Sequence, residues 1–216
     1  MTQAGRFITV EGLEGAGKTT CLRAIEQLLE AAGIERPLFT REPGGTPFGE
    51  ALRSTLLDPR HRGLSAEAEA LTVFAARAEH LAQVIHPALA AGRWVISDRF
   101  TDATYAYQGG GRGLGDDRIA VLEEWVQGDF APDRTLLLDV DPAVGRSRVA
   151  SRGDGEDRFE QEQDPFFRAA RAAYARRAAA DPERFRCIDA NRTEEEVARQ
   201  AREALADLVS GGAPDG

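Results

Sequence analysis

The chain has 216 residues, 42% of them hydrophobic and 29% charged, enough for one α/β core, and we expect a single domain spanning 1–216. A net charge of −9 and a sequence pI near 5.0 argue against nucleic acid or a membrane surface as the main partner, because both demand a basic face. No apolar run suggests a signal peptide or a membrane span, so a soluble cytoplasmic protein is the expectation, and Cys21 and Cys187, far apart, read as small core fillers.

Residues 6–10 read as a short buried strand and 20–32 as an amphipathic helix carrying Leu22, Ile25, Leu28 and Leu29. Between them lies Gly12-Leu13-Glu14-Gly15-Ala16-Gly17-Lys18-Thr19, followed by Thr20. The spacing Gly-x-x-x-x-Gly-Lys-Thr places free backbone N–H groups and a helix N-terminus around a nucleotide's phosphates, with the lysine on the β/γ-phosphates and the Thr19 hydroxyl on Mg²⁺. Of 27 basic residues Lys18 is the sole lysine. A compact ammonium is retained where a planar guanidinium would be too bulky.

Residues 37–40 suggest a second strand, closed by Arg41-Glu42-Pro43-Gly44-Gly45-Thr46. Loops at the carboxyl ends of such strands line the binding crevice, so Arg41, Glu42 and Pro43 are candidates for holding an anionic or hydroxylated substrate, with a plain surface turn as the alternative. A short helix follows over 48–57, with Arg53 off its apolar side. A longer one starts after a Ser65 cap, with Leu71, Phe74, Ala78, Leu81, Ile85 and Leu89 as its core stripe and a kink from Pro87. Phe74 and Arg77, at i and i+3, are placed to share a ligand, the ring on a base and the guanidinium on phosphate, unless Phe74 is simply packed.

The strand 94–98 ends in Asp98-Arg99, where a carboxylate can hold Mg²⁺; Asp139, at the end of an equally apolar run, is its rival. Residues 101–113, polar and glycine-rich, read as a substrate-facing loop. Helices are expected at 116–127, 141–150, 166–179 and 194–208, with strands around Leu136 and at 184–188. Arg146, Arg148, Arg152 and Arg158 flank a Gly/Asp segment, either a solvated face or a lid at about 151–160 that brings positive charge to a transferring phosphoryl group; 210–216 has the composition of a frayed tail.

Four stretches occur in family order: the one ending in Gly-Lys-Thr-Thr, Thr-Arg-Glu-Pro-Gly-Gly-Thr, Asp98-Arg99-Phe100 and Ala-Tyr-Gln-Gly-Gly-Gly-Arg-Gly. Together, over about 6–208, they resemble bacterial thymidylate kinase. The resemblance implies a P-loop three-layer α/β/α fold with a five-stranded parallel sheet surrounded by helices and a short lid. It implies transfer of the γ-phosphoryl of ATP to dTMP with Mg²⁺, usually in a homodimer. It would put Glu14 on the sugar 3′-hydroxyl, Arg77 and Arg99 on the dTMP phosphate with Arg53 near it, Phe74 stacked on thymine, Thr104 and Gln108 at the base edge, and Tyr107 where a 2′-hydroxyl would clash. The variable loop positions 13–16 lack arginine, so a catalytic one must come from the lid, Arg152 or Arg158, with Arg148 in reserve. A GTPase is excluded, since its Asn-Lys-x-Asp motif needs a second lysine; an ATP-driven machine would want a glutamate where Arg99 stands. Another small-molecule kinase on this fold is the nearest rival.

Overall fold

A computed structural model describes residues 5–151 and 158–210. Five parallel strands form one sheet in the order β2-β3-β1-β4-β5: β1 (Phe7–Gly12), β2 (Leu38–Arg41), β3 (Val95–Asp98), β4 (Arg134–Asp139) and β5 (Phe185–Asp189). The central strand β1 is buried along its whole length, as expected of a strand covered by helices on both faces. Val10 is opposite Asp98, and Gly12 opposite Leu138, so the carboxyl ends of β1, β3 and β4 open onto one crevice.

Helices α1 (Lys18–Ala31), α2 (Pro47–Leu57), α3 (Ala66–His80) and α4 (His86–Ala90) follow the expected order. The Ser65 hydroxyl accepts from the N–H of Ala68, the predicted cap. The buried face of α3 is nevertheless rotated from the predicted stripe: Ala70, Val73, Phe74, Ala76 and Arg77 are buried, while Leu71 is 53% exposed and Ala78 is exposed. Apolar residues on adjacent faces left the phase of this helix ambiguous. Instead of a simple kink, Leu81–Ile85 widens into π-helical turns just ahead of Pro87, which absorbs the missing N–H.

The largest departure concerns residues 101–113. They form no loop: α5 (Thr101–Thr104) runs into π-helical turns at Tyr105–Gly111, nearly all buried. Glycine permits this packing, since a Cβ on Gly111 would lie 2.5 Å from the Phe166 ring. The ring belongs to α8 (Asp164–Ala180). Helix α6 (Asp116–Gln127) has its predicted bounds, α7 (Pro142–Ala150) is capped by Asp141, and the last helix breaks into α9 (Glu194–Glu203) and α10 (Ala206–Ser210). Cys21 is buried as predicted, but Cys187 is exposed and fills no core.

Candidate active site

The loop between β1 and α1 approaches α7 backbone to backbone. A Cβ on Gly15 would come within 2.1 Å of the Gly145 carbonyl, and one on Gly145 within 2.6 Å of the Glu14 carbonyl, so neither tolerates a side chain. Gly17, at φ 90°, ends the loop and presents the N-terminus of α1. The half-buried Lys18 Nζ makes one long contact, 3.4 Å to the Leu13 carbonyl. Burial, and after it Arg99, pulls the Lys18 pKa below its ordinary value, against the upward pull of Asp98 and Glu14. A desolvated ammonium held by a long hydrogen bond at a helix N-terminus is suited to an anionic ligand. Thr19 and Thr20 occupy the first turn of α1, and beside them a groove is lined by Gly15, Gly17, Arg23, Arg148 and Arg192.

At the end of β3, Asp98 Oδ1 is buried without a hydrogen-bond partner among the described residues. Its rival Asp139 accepts two bonds from Arg171, at 2.6 and 2.8 Å, and is thereby occupied. Among the described residues no three His, Cys, Asp or Glu groups cluster as a metal cage. A carboxylate oxygen left unengaged by the described residues, and close enough to Lys18 to act on its charge, fits Mg²⁺, which keeps most of its shell as water and substrate phosphate.

A second cavity opens beside the loop, lined by Pro43, Arg53, Val73, Arg77, Arg99, Phe100, Thr104, Tyr107 and Gln108 among others. Arg77 is 1% exposed. Its Nε donates to Glu42 at 2.7 Å and one Nη to Thr104 Oγ1 at 3.0 Å, while the other Nη has no partner among the described residues. Its guanidinium lies over the Phe74 and Phe100 rings, 4.5 and 5.0 Å from their centroids. Glu42 is also bonded to His80, whose other ring nitrogen meets Thr40 Oγ1 at 2.7 Å. Glu42 therefore orients Arg77 from within the cavity lining, to which it also belongs. Neither Glu42 nor His80 declares such a role in sequence, because each partner lies on another element.

Arg99 sits at φ 73°, an unusual backbone state for arginine, fixed by its N–H to the Val10 carbonyl. It donates to Glu14 at 2.9 Å and to the Tyr174 hydroxyl at 3.3 Å, and the Tyr107 hydroxyl donates to the other Glu14 oxygen at 2.7 Å. Glu14, Arg99 and Tyr107 thus form one unit joining the loop to the cavity. Beneath it Glu11, which sequence analysis missed, accepts from Tyr174 and from the Phe100 N–H; burial foremost, then Asp102, pushes its pKa up to about 8. A glutamate inside an apolar strand was the available signal.

Several predicted site residues lie elsewhere. Phe74 is 2% exposed and packs with Ala70, Tyr105 and Ile119, outside the cavity lining; Val73, its neighbour on α3, lines the cavity in its place. The rotated face of α3 is the reason. Arg41 pairs with Glu50 at 2.8 Å in an exposed groove, outside this cavity. Arg53 lines the cavity and is steadied by the Pro43 carbonyl at 3.1 Å. Arg152 lies outside the described residues. Arg158 is 3% exposed, bonded to the Leu56 carbonyl and to Glu69 at 2.6 Å, so this geometry does not bring it to the phosphate loop. Arg148 is nearer, donating to the Gly15 carbonyl at 3.3 Å.

A thymidylate kinase family model matches residues 10–201. The chain is 83% identical over 215 residues to a thymidylate kinase of Halorhodospira halophila, covering 99% of this chain and all of that one. It is 57% identical to a thymidylate kinase of Nitrosospira multiformis, covering 95% and 99%. A crystal structure of thymidylate kinase from Ehrlichia chaffeensis superposes with a TM-score of 0.72 at 32% identity, covering 95% of this chain and 98% of that one.

Proposed function

The chain belongs to the thymidylate kinase family, enzymes that phosphorylate dTMP to dTDP with ATP as donor, and we propose that its two adjoining cavities hold those two nucleotides head to head. ATP phosphates lie on residues 12–20, and dTMP lies in the cavity with its phosphate towards Arg77, Arg99 and Arg53. The observation that carries this reading is Arg77, a buried guanidinium with one Nη unpartnered among the described residues, in a cavity whose Arg99 is bonded to Glu14 of the loop. Such a group is costly to bury unless an anion completes it.

Transfer requires a dTMP phosphate oxygen to attack the γ-phosphorus as the bridge to ADP breaks. The protein's part is alignment and charge: Lys18 on the donor phosphates, Arg77 and Arg99 on the acceptor, and an arginine of the 151–160 segment, Arg152 or Arg158, on the transferring group. Arg158 would have to leave Glu69 to act there, which favours Arg152. Thr19 and Asp98 would hold Mg²⁺, whose chemistry is to neutralise charge shared by the β- and γ-phosphates.

Glu14 meets the sugar 3′-hydroxyl, while the Tyr107 ring, with Arg99 4.6 Å from its centroid, is held against the sugar face. A ribose hydroxyl collides with that wall. A coupled ADP-release assay should therefore give dUMP a kcat/KM at least about 100-fold above UMP, the size of discrimination that a rigid, desolvated wall provides. Equal use of the two would remove Tyr107 from this role.

The homodimer implied by the resemblance has a surface to form on. Val121 and Trp125, one turn apart on α6, are 69% and 80% exposed, and α3, which packs beside α6, exposes Leu71. Sedimentation should find a dimer that Trp125→Glu dissociates; a native monomer would contradict it. No helix among the described residues is long and apolar enough to cross a membrane, and the acidic charge suits a cytoplasmic enzyme with no nucleic-acid partner, a location that cell fractionation tests.

A further inference from the structure

Glu69 lines neither cavity itself, yet it is fully buried and gathers three donors, two from the π-helical segment and its cap and one from beyond residue 157. Arg158 Nη1 reaches it at 2.6 Å, Arg112 Nε at 3.0 Å, and Gln108 Nε2 at 3.1 Å. The two arginines suffice to satisfy a buried carboxylate electrostatically. The third bond has a separate consequence, because Gln108 lines the acceptor cavity and its amide has two unlike ends.

A carboxylate accepts and cannot donate, so it selects the amide orientation with Nε2 towards it. The carbonyl Oε1 is then the group that Gln108 can offer a ligand. Thr104 is committed in a similar way. Its hydroxyl oxygen accepts from Arg77 at 3.0 Å, which leaves its O–H to donate. An acceptor beside a donor complements the imide edge of thymine or uracil, with N3–H against the carbonyl and a ring C=O against the hydroxyl. Cytosine presents the inverse at both atoms, a lone pair at N3 and an amino group beside it.

We propose that Glu69 is a specificity-determining positioning residue: by fixing the Gln108 amide it makes the cavity read an imide and reject an amidine-type pyrimidine. The inference rests on the reading that places the base at Gln108 and Thr104. Replacement by glutamine removes the fixed polarity, since an amide at 69 can accept from Gln108 or donate to it, and Gln108 becomes free to turn its NH₂ to the ligand. Buried polar groups that are matched or mismatched in this way account for large selectivity ratios between near-isosteric ligands.

The test is a double-mutant cycle read as the ratio of kcat/KM for dTMP over dCMP. Glu69→Gln is expected to lower the ratio at least about tenfold, with the KM for ATP little changed. Gln108→Leu should lower it too. Adding Glu69→Gln to Gln108→Leu should change it no further, because the carboxylate acts through that amide. A ratio unmoved by Gln108→Leu overturns the placement of the base; a ratio lowered by Gln108→Leu but not by Glu69→Gln, or lowered equally by Glu69→Gln in both backgrounds, overturns the role of Glu69 alone. Should Glu69→Gln fail to fold, Glu69→Asp keeps the charge opposite both arginines and withdraws the carboxylate from Gln108. It carries the same expectations.

Discussion

Lys18→Ala is expected to lower kcat at least about 10³-fold while leaving the thermal unfolding midpoint within a few degrees of native, since charge stabilisation of the transferring phosphoryl group is the main work left to the protein. The expectation follows from the environment of Nζ. Among the described residues its one hydrogen bond is the 3.4 Å approach to the Leu13 carbonyl, so truncation breaks little that holds the fold together. Burial and Arg99 already press its pKa down, and relief comes when triphosphate arrives. Steady-state kinetics beside calorimetry separates the effects. A variant that turns over normally would show that the loop does not hold the donor; one that loses activity only in proportion to lost folded protein would make Lys18 structural.

Arg77→Ala should cost about 10³-fold or more in kcat/KM for dTMP and leave the KM for ATP within about threefold, as expected for a buried charged anchor on one of two substrates. Unlike Lys18, Arg77 also stabilises the fold. Removing it strands Glu42, 2% exposed, with only His80 for company, and breaking a buried pair from one side costs about 3–5 kcal/mol. The unfolding midpoint should therefore fall, and the split between the two KM values distinguishes lost recognition from lost protein. Arg77→Lys should restore stability in part and recognition poorly, because lysine retains charge but cannot reach Glu42, Thr104 and a phosphate from one planar fork. If dTMP and ATP parameters decline together in Arg77→Ala, the guanidinium is not on the acceptor phosphate.

What the sequence disclosed was decided by local rules. The phosphate loop, the Ser65 cap and helix α6 depend on neighbours within a few residues, and their spacing carried them. Asp98 over Asp139 could be preferred from the arginine that follows it, but only the pairing of Asp139 with Arg171 shows which carboxylate is unengaged. Residues 101–113 misled because glycine and glutamine suggest a loop, whereas here small residues let a wide helix press against α8. Phe74 was open to two readings. An i, i+3 spacing brings it near Arg77 either as a partner at the cavity or as a floor beneath the guanidinium, and the second is observed. Arg158 looked like a surface charge or a lid charge, and it is neither in this geometry, since a buried glutamate 89 positions away receives it. Glu11, Glu42, Glu69 and Asp102 share that feature: each is a buried carboxylate whose meaning lies in donors from distant strands and helices.

As a thymidylate kinase this chain moves the γ-phosphoryl of ATP to the phosphate of a deoxynucleotide bearing an imide base. A coupled ADP-release assay with ATP, Mg²⁺ and dTMP, dUMP, dCMP, UMP or AMP as acceptor tests it most directly. The highest kcat/KM is expected for dTMP, with dUMP next and dCMP, UMP and AMP at least about 100-fold below dTMP, in line with the selectivity of a site built on matched hydrogen bonds. Background-level ADP release with dTMP, or turnover of dCMP, UMP or AMP matching or exceeding it, would contradict that claim.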